Sequence, residues 1–218
     1  MNLAEYLPCW NKLTDEEQSL LANSAFIKQV PAGAVIHDGG ADCMGLLLVR
    51  AGQLRACIFS EEGKEITIYR LFERDLCLFS ASCMMRSIQF DITVSAEKDS
   101  EVWVIPLEIF KGLMEKSVAV SNYINEIMGT RFTEVMWLIE QVMWKSFDKR
   151  LAAFLLEECN IENTETLKIT HEQIAAHLGT AREVVTRMLK YFQTEEIVKI
   201  TRGMVEIVNR RKLESLAE

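Results

Sequence analysis

The hydrophobic period of the chain changes at Pro106, and that change constrains the fold more than any other feature. Before it, from Phe26, short β-rich runs follow one another: FIKQV, AVIH, GLLLVRA, QLRACIF, EITIYRLF, DITVSA and EVWVI. Turn signals such as Pro31-Ala32-Gly33, Asp38-Gly39-Gly40 and Glu61-Glu62-Gly63-Lys64 part them. Branched and aromatic side chains favour extended backbone and Gly, Pro and Asp favour turns, so this part predicts a small antiparallel sandwich or roll. Gly52 suits a tight turn or bulge and Gly63 a hairpin turn. Beyond Pro106 the chain contains no further proline. Met128, Phe132, Val135, Ile139 and Val142 then recur at four-three spacing, which predicts a helix from Leu107 to about Trp144. Ahead of the strands, Thr14 with Glu17 three residues on predicts a capped opening helix.

The last third carries the second constraint. Residues 169–192 read ITHEQIAAHLGTAREVVTRMLKYF, two helix starts separated by a glycine. Thr170 with Gln173, and Thr180 with Glu183, have the spacing of capping boxes, and Gly179 suits a left-handed helix end. Ile174, Ala175 and Leu178 make an apolar face on the first helix, and Val184, Val185, Met188 and Leu189 one on the second. Two short helices joined this tightly pack at a steep angle, as a helix-turn-helix, with Ala175 small where they approach. A helix from Phe147 to Glu158 and a short strand at Leu167–Ile169 precede the pair. The runs Ile197–Ile200 and Met204–Val208, around Thr201-Arg202-Gly203, predict a closing hairpin, or wing. The fold class is thus α+β, with an effector or sensor roll over 1–115, a long helix and hinge over 116–146, and a winged helix-turn-helix over 147–218.

Composition narrows the class. With 49% hydrophobic and 26% charged residues and only 3 prolines and 10 glycines, the chain is globular, not disordered or of low complexity. No apolar run approaches the roughly 18 residues of a membrane span, and the N-terminus lacks a basic start before an apolar stretch, so a cytoplasmic protein without membrane contact is expected. The six cysteines form no C-x-x-C pair and read as free thiols. The net charge of −8 is unevenly placed: residues 1–146 hold 13 Lys and Arg against 20 Asp and Glu, residues 147–218 hold 11 against 12. The acidity sits in the first two thirds, and the final segment is close to neutral.

With its apolar residues turned inward, the second helix of the pair presents Arg182, Glu183, Thr186, Arg187 and Lys190 on the other side. Arginine can give two parallel hydrogen bonds to guanine and glutamate can accept from cytosine N4, so Arg182, Glu183, Thr186 and Arg187 form a candidate base-reading set for a major groove. Thr170, His171 and Thr180 at helix N-termini, Lys190, and Arg202 and Gly203 of the wing are candidate phosphate contacts. The stripe Met128, Phe132, Val135, Ile139 and Val142, flanked by Met136, Trp137 and Met143, predicts a homodimer through the long helix; the alternative is a core helix within one subunit. Double-stranded DNA and a second copy of the chain are the expected partners.

The order of these features resembles the bacterial transcription regulators related to the cyclic-AMP receptor protein and the fumarate/nitrate reductase regulator (CRP/FNR), over nearly the whole chain. The resemblance rests on the turns Arg50-Ala51-Gly52-Gln53 and Glu61-Glu62-Gly63-Lys64, on Phe147-Asp148-Lys149-Arg150-Leu151 opening the last domain, and on Arg182-Glu183-x-x-x-Arg187 with Thr186 before the arginine. It implies a cyclic-nucleotide-binding-like jelly roll, a dimer helix, a palindromic operator with half-sites of the TGTGA or TTGAT kind, and RNA polymerase as a further partner. The sensor departs from the best-known members. Anchored on Val94-Ser95-Ala96, the family's phosphate-holding Arg-Ser pair falls at Phe90 and Asp91, where an anion repels a cyclic phosphate; Arg86-Ser87 lies a few residues too early. Cyclic AMP is therefore not expected. Nor is an iron-sulfur cluster, since only Cys9 lies near the N-terminus where that branch gathers its thiolates.

The candidate effector pocket comprises Cys77, Phe79, Ser80, Cys83, Arg86, Phe90 and Asp91, and the effector stays unidentified. Cys77 and Cys83, with Cys43 or His37, could answer metal or oxidation; the other reading is two buried small hydrophobes, and no metal site is assigned. One histidine in the roll, and no Ser-His-Asp set, phosphate loop or HExxH motif, argue against an enzyme. The remaining alternative to a DNA-binding regulator is an effector-sensing module that acts through protein partners.

Overall fold

The computed structural model describes residues 2–38, 45–78 and 92–218. They form two compact units: one of 1–58 with 68–135, the other of 59–67 with 136–218.

In the first unit, short 3-10 turns at Leu3–Glu5 and Trp10–Lys12 lead into α1 (Asp15–Ser24). Its start is the expected capping box: the Glu17 amide donates to Thr14 Oγ1 at 3.3 Å and the Thr14 amide to the Glu17 carboxylate at 2.8 Å. The strands β1 (Phe26–Val30), β2 (Val35–Asp38), β3 (Leu46–Ala51), β4 (Leu54–Phe59), β5 (Glu65–Leu71), β6 (Leu76–Cys77), β7 (Thr93–Ala96) and β8 (Ser100–Ile105) follow. They make two four-stranded sheets of order β1-β8-β3-β6 and β2-β7-β4-β5, with antiparallel pairing. The inner residues Leu47, Val49, Leu54, Ala56, Leu71, Val94, Val102 and Val104 share one buried cluster, so the roll folds as the alternating pattern requires. Gly52, at φ +91°, makes the β3–β4 turn; a Cβ there would stand 2.5 Å from the Asp99 carbonyl. The two-residue β6 has no periodicity to betray it in the sequence and is fixed by pairing with Leu47 and Leu48.

The expected single helix from Leu107 to Trp144 is two. α2 (Leu107–Lys116) and α3 (Val118–Trp144) part at Ser117, whose backbone is extended (φ −101°, ψ 111°). Ser117 behaves as a cap: its carbonyl accepts from the Ser121 amide at 3.0 Å and its side chain bonds the Glu17 carboxylate. Phe110 and Leu113 of α2 and Val120 and Ile124 of α3 bury in one cluster with Leu46, Leu48 and Ile105 of the roll. An apolar stripe that continues through a bend shows no break in the sequence, because period alone does not report the axis.

The second unit contains α4 (Phe147–Glu162), β9 (Thr166–Leu167), α5 (His171–Leu178), α6 (Arg182–Thr194), β10 (Val198–Thr201), β11 (Met204–Ile207) and α7 (Arg210–Ala217). The wing is three-stranded, of order β10-β11-β9. Leu151, Leu155, Ile174, Val185, Leu189, Phe192, Val205 and Leu213 are wholly buried in one core, which α7 completes. The sequence reading ended on the hairpin; Asn209, whose side chain accepts from the Lys212 amide at 3.0 Å, is the cap signal for α7 that it passed over. Among the described residues no helix is long and apolar enough to cross a membrane.

Candidate nucleic-acid interface

α5 begins at the predicted cap: the Gln173 amide donates to Thr170 Oγ1 at 3.2 Å and the Thr170 amide to Gln173 Oε1 at 2.9 Å. It ends at Gly179 in the left-handed conformation, φ +65° and ψ 42°. The second predicted cap does not form. Thr180 spends its amide on the Ala175 carbonyl (3.1 Å), closing α5, and Ala181 is the N-cap of α6 with no side-chain bond. Because α6 begins at Arg182, Thr180 stands one residue ahead of the cap position, and its amide, which a capping box would give to Glu183, is already bonded. The α6 N-terminus therefore keeps donors that no side chain of its own satisfies.

Arg150 of α4 reaches over and donates to the Leu178 carbonyl at the end of α5, fixing that helix on the core. Ala175 is buried where α5 meets α6, and Val185, Leu189 and Phe192 face inward. The opposite side of α6 carries Arg182, Glu183, Arg187 and Lys190, all exposed, with Thr186 half-buried between them. The candidate phosphate contacts Thr170, Arg202 and Gly203 are exposed, and His171 and Thr180 half-buried. Gly203, at φ +72°, closes the two-residue wing turn between Thr201 and Met204.

Two contacts across this unit lay beyond sequence reasoning. His171 Nδ1 lies 2.9 Å from Thr186 Oγ1, and the same hydroxyl donates to the Arg182 carbonyl at 2.9 Å. Burial, then the Arg182 charge, lower the His171 pKa below its ordinary value. Secondly, the turn segment 59–67 belongs with this unit. Ile66 bridges Leu178, and Thr67 Oγ1 lies 2.8 Å from His177 Nδ1, whose ring stacks on Phe154 with centroids 5.2 Å apart. An open cleft of about 380 Å³ runs between Gly63-Lys64-Glu65 and Thr180-Ala181-Arg182-Glu183.

Comparison with known proteins bears directly on this architecture. Residues 27–117 match the cyclic nucleotide-binding domain model and residues 149–216 the Crp-like helix-turn-helix domain model. A solved protein of Eubacterium rectale, assigned to the crp/fnr family of transcriptional regulators, superposes with a TM-score of 0.96 at 57% identity, over 98% of this chain and 99% of that one. The chain belongs to the CRP/FNR family. Among more distant relatives of this regulator are the cyclic AMP receptor protein of Thermus thermophilus, 24% identical over 96% of both chains, and the fumarate and nitrate reduction regulatory protein of Vibrio cholerae, 27% identical over 87% of this chain and 78% of that one.

As a CRP/FNR transcription regulator, the protein carries a cyclic nucleotide-binding-type domain as well as the helix-turn-helix domain. Of the candidate pocket residues, Cys77 lies buried in the roll core, beside Tyr69 and Leu71; Phe79, Ser80, Cys83, Arg86, Phe90 and Asp91, together with Cys43, lie outside the described residues. His37 is buried in β2. Sequence reasoning missed Arg131. This buried guanidinium of α3 sits 4.4 Å from the Tyr69 ring centroid, donates to both Glu134 oxygens at 2.8 and 3.0 Å, and lies 3.8 Å from Asp75. Its only sequence signal is a cation placed directly before Phe132 of the apolar stripe. Burial raises the Tyr69 pKa well above its ordinary value and the Tyr123 pKa to about 12. Both phenols are therefore neutral at physiological pH. Nearby in sequence, Glu97 gathers Gln53 at 2.6 Å, Arg70 at 3.1 Å and Arg55 at 3.9 Å.

On the outer part of α3, Met128, Phe132, Met136, Trp137, Ile139, Val142 and Met143 are exposed, Phe132 to 68% and Met143 to 64%, and Val135 is half-buried. Four of the five stripe residues thus keep 39–68% of their surface open.

Proposed function

We propose that this regulator is a homodimer that binds a palindromic DNA operator through α6, under control of a small-molecule or redox signal sensed in the roll. The observation that carries the reading is the exposed face of α6: two arginines, a glutamate and a lysine along a helix whose other side anchors the core. Arg182, Glu183, Thr186 and Arg187 read base edges, and Thr170, His171, Thr180, Lys190, Arg202 and Gly203 line the backbone path. The uncovered stripe on α3 supports pairing with a second copy, since large apolar side chains left in water at helical spacing are what a helix-helix interface buries. Pairing would set the two α6 helices about 34 Å apart, one turn of duplex.

The effector pocket takes in Cys77 and the stretch after it, with cyclic AMP and an iron-sulfur cluster disfavoured by the residues at Phe90, Asp91 and the N-terminus. The protein acts in the cytoplasm, without catalysis, and engages RNA polymerase at its promoters. Selection from a random duplex pool at fixed salt tests the central claim. A palindrome with TGTGA-like or TTGAT-like arms is expected, and Arg187→Ala should abolish specific binding while leaving the dimer intact. A mutant dimer that dissociates, or specific binding that persists in Arg187→Ala, would refute the assignment.

A further inference from the structure

The bond between α5 and α6 has a direction that the chemistry of its three members fixes. The Arg182 carbonyl can only accept, so the single hydroxyl proton of Thr186 is committed to it at 2.9 Å. The contact of 2.9 Å to His171 is therefore a bond in which Nδ1–H donates and Thr186 Oγ1 accepts. Threonine in a helix divides between two χ1 rotamers because its oxygen can bond back to the preceding turn. Here a second bond, from another helix, selects one of them. With its hydroxyl engaged twice inside the protein, Thr186 has no donor left for a base. What it still offers is its methyl group and one acceptor lone pair.

We propose that His171 is a positioning residue that locks the Thr186 rotamer, so that the Thr186 methyl reads the C5-methyl of a thymine in each half-site. The proposal rests on the DNA-binding reading above and deepens it: it assigns a base class to Thr186, one of the base readers, and it gives His171 a positioning role in place of the phosphate contact assigned to it above. A methyl contact suits a side chain with no free proton, and thymine is the base that presents a methyl in the major groove.

Replacing thymine by deoxyuridine, one position at a time in the selected operator, removes that methyl and nothing else. Burial of one methyl is worth about 0.8 kcal/mol, so wild type should lose about fourfold in affinity at one position per half-site. Thr186→Ser should bring the thymine-to-deoxyuridine ratio there to about one. His171→Ala should do nearly the same while its salt slope stays that of wild type, and His171→Asn, which keeps an N–H donor in nearly the same place, should restore the fourfold ratio. A His171→Ala protein weakened equally on both duplexes, its thymine-to-deoxyuridine ratio still about fourfold, would show a phosphate contact instead and overturn the proposal. So would a wild type indifferent to every thymine. A wild type that selects no operator overturns the DNA-binding reading itself, a result distinct from either.

Discussion

Gly179→Ala is the substitution whose cost the structure specifies most closely. Gly179 holds φ at +65°, where an L side chain costs about 1–2 kcal/mol. A Cβ there would also stand 2.9 Å from Ile66 Cδ1 and 3.1 Å from its Cβ and Cγ1. The methyl end of isoleucine can give way, at about 0.5–1.5 kcal/mol for an off-rotamer side chain, whereas its Cβ is tied to backbone bridged to Leu178. The sum is about 1.5–3.5 kcal/mol, or about 3–14 °C in Tm for a chain of this size. Scanning calorimetry on Gly179→Ala, Gly179→Asn, Ile66→Ala and the Gly179→Ala/Ile66→Ala pair separates the two contributions. Asparagine tolerates the left-handed region, so it should pay for the contact but little for φ. The double variant should lose about 1 kcal/mol less than the sum of the singles, the mark of residues that touch. Gly179→Ala melting with wild type would refute the whole account; singles that add would refute the Ile66 contact and leave only the φ cost.

Other outcomes follow from the same geometry. Lys190→Ala, if it removes one phosphate contact, should weaken binding equally across operator sequences and reduce the slope of log K against log salt by about 0.9, measured by fluorescence anisotropy over a salt series. Leu189→Ala empties a wholly buried position in the winged core and should cost about 2–5 kcal/mol in denaturant unfolding. Phe132→Glu places a charge on an exposed part of α3, so sedimentation should show monomers whose fold by circular dichroism is unchanged; an intact dimer would move the interface elsewhere. For His171 the folded pKa lies below the ordinary value of 6.5. The unfolded chain then binds the proton more readily, so acidification through pH 6.5 should cost stability, and His171→Asn should flatten the stability curve in that window, before the carboxylates titrate.

Local chemistry made most of the architecture legible. β-rich runs such as GLLLVRA and QLRACIF between turn residues marked strands, Pro106 marked the change to helix, and Thr14-x-x-Glu17 and Thr170-x-x-Gln173 marked two helix starts that form as predicted. Each of these signals acts within one turn or one strand, where the neighbours along the chain are also the neighbours in space. The failures share the opposite property. Thr180-x-x-Glu183 has the spacing of a cap, yet the end of α5 claims Thr180 first. The break at Ser117 depends on Glu17, a hundred residues earlier, and the two-residue β6 on Leu47 and Leu48.

The site divides the same way. That Arg182, Glu183 and Arg187 share the open side of a helix follows from the apolar residues between them, because 3.6 residues per turn fixes which positions face the core. The sequence by itself therefore determined the helix pair, its wing and the polar face. Only the tertiary structure decided that His171 holds Thr186, that Arg131 lies buried against Tyr69, and that Ile66 fills the space beside Gly179. Those contacts join residues 15, 62 and 113 positions apart, and no period or spacing encodes which of many compatible partners a buried hydrogen-bonding group or methyl will meet. Assembly of the core settles it, because a buried polar group without a partner costs more than the rotamer that finds one.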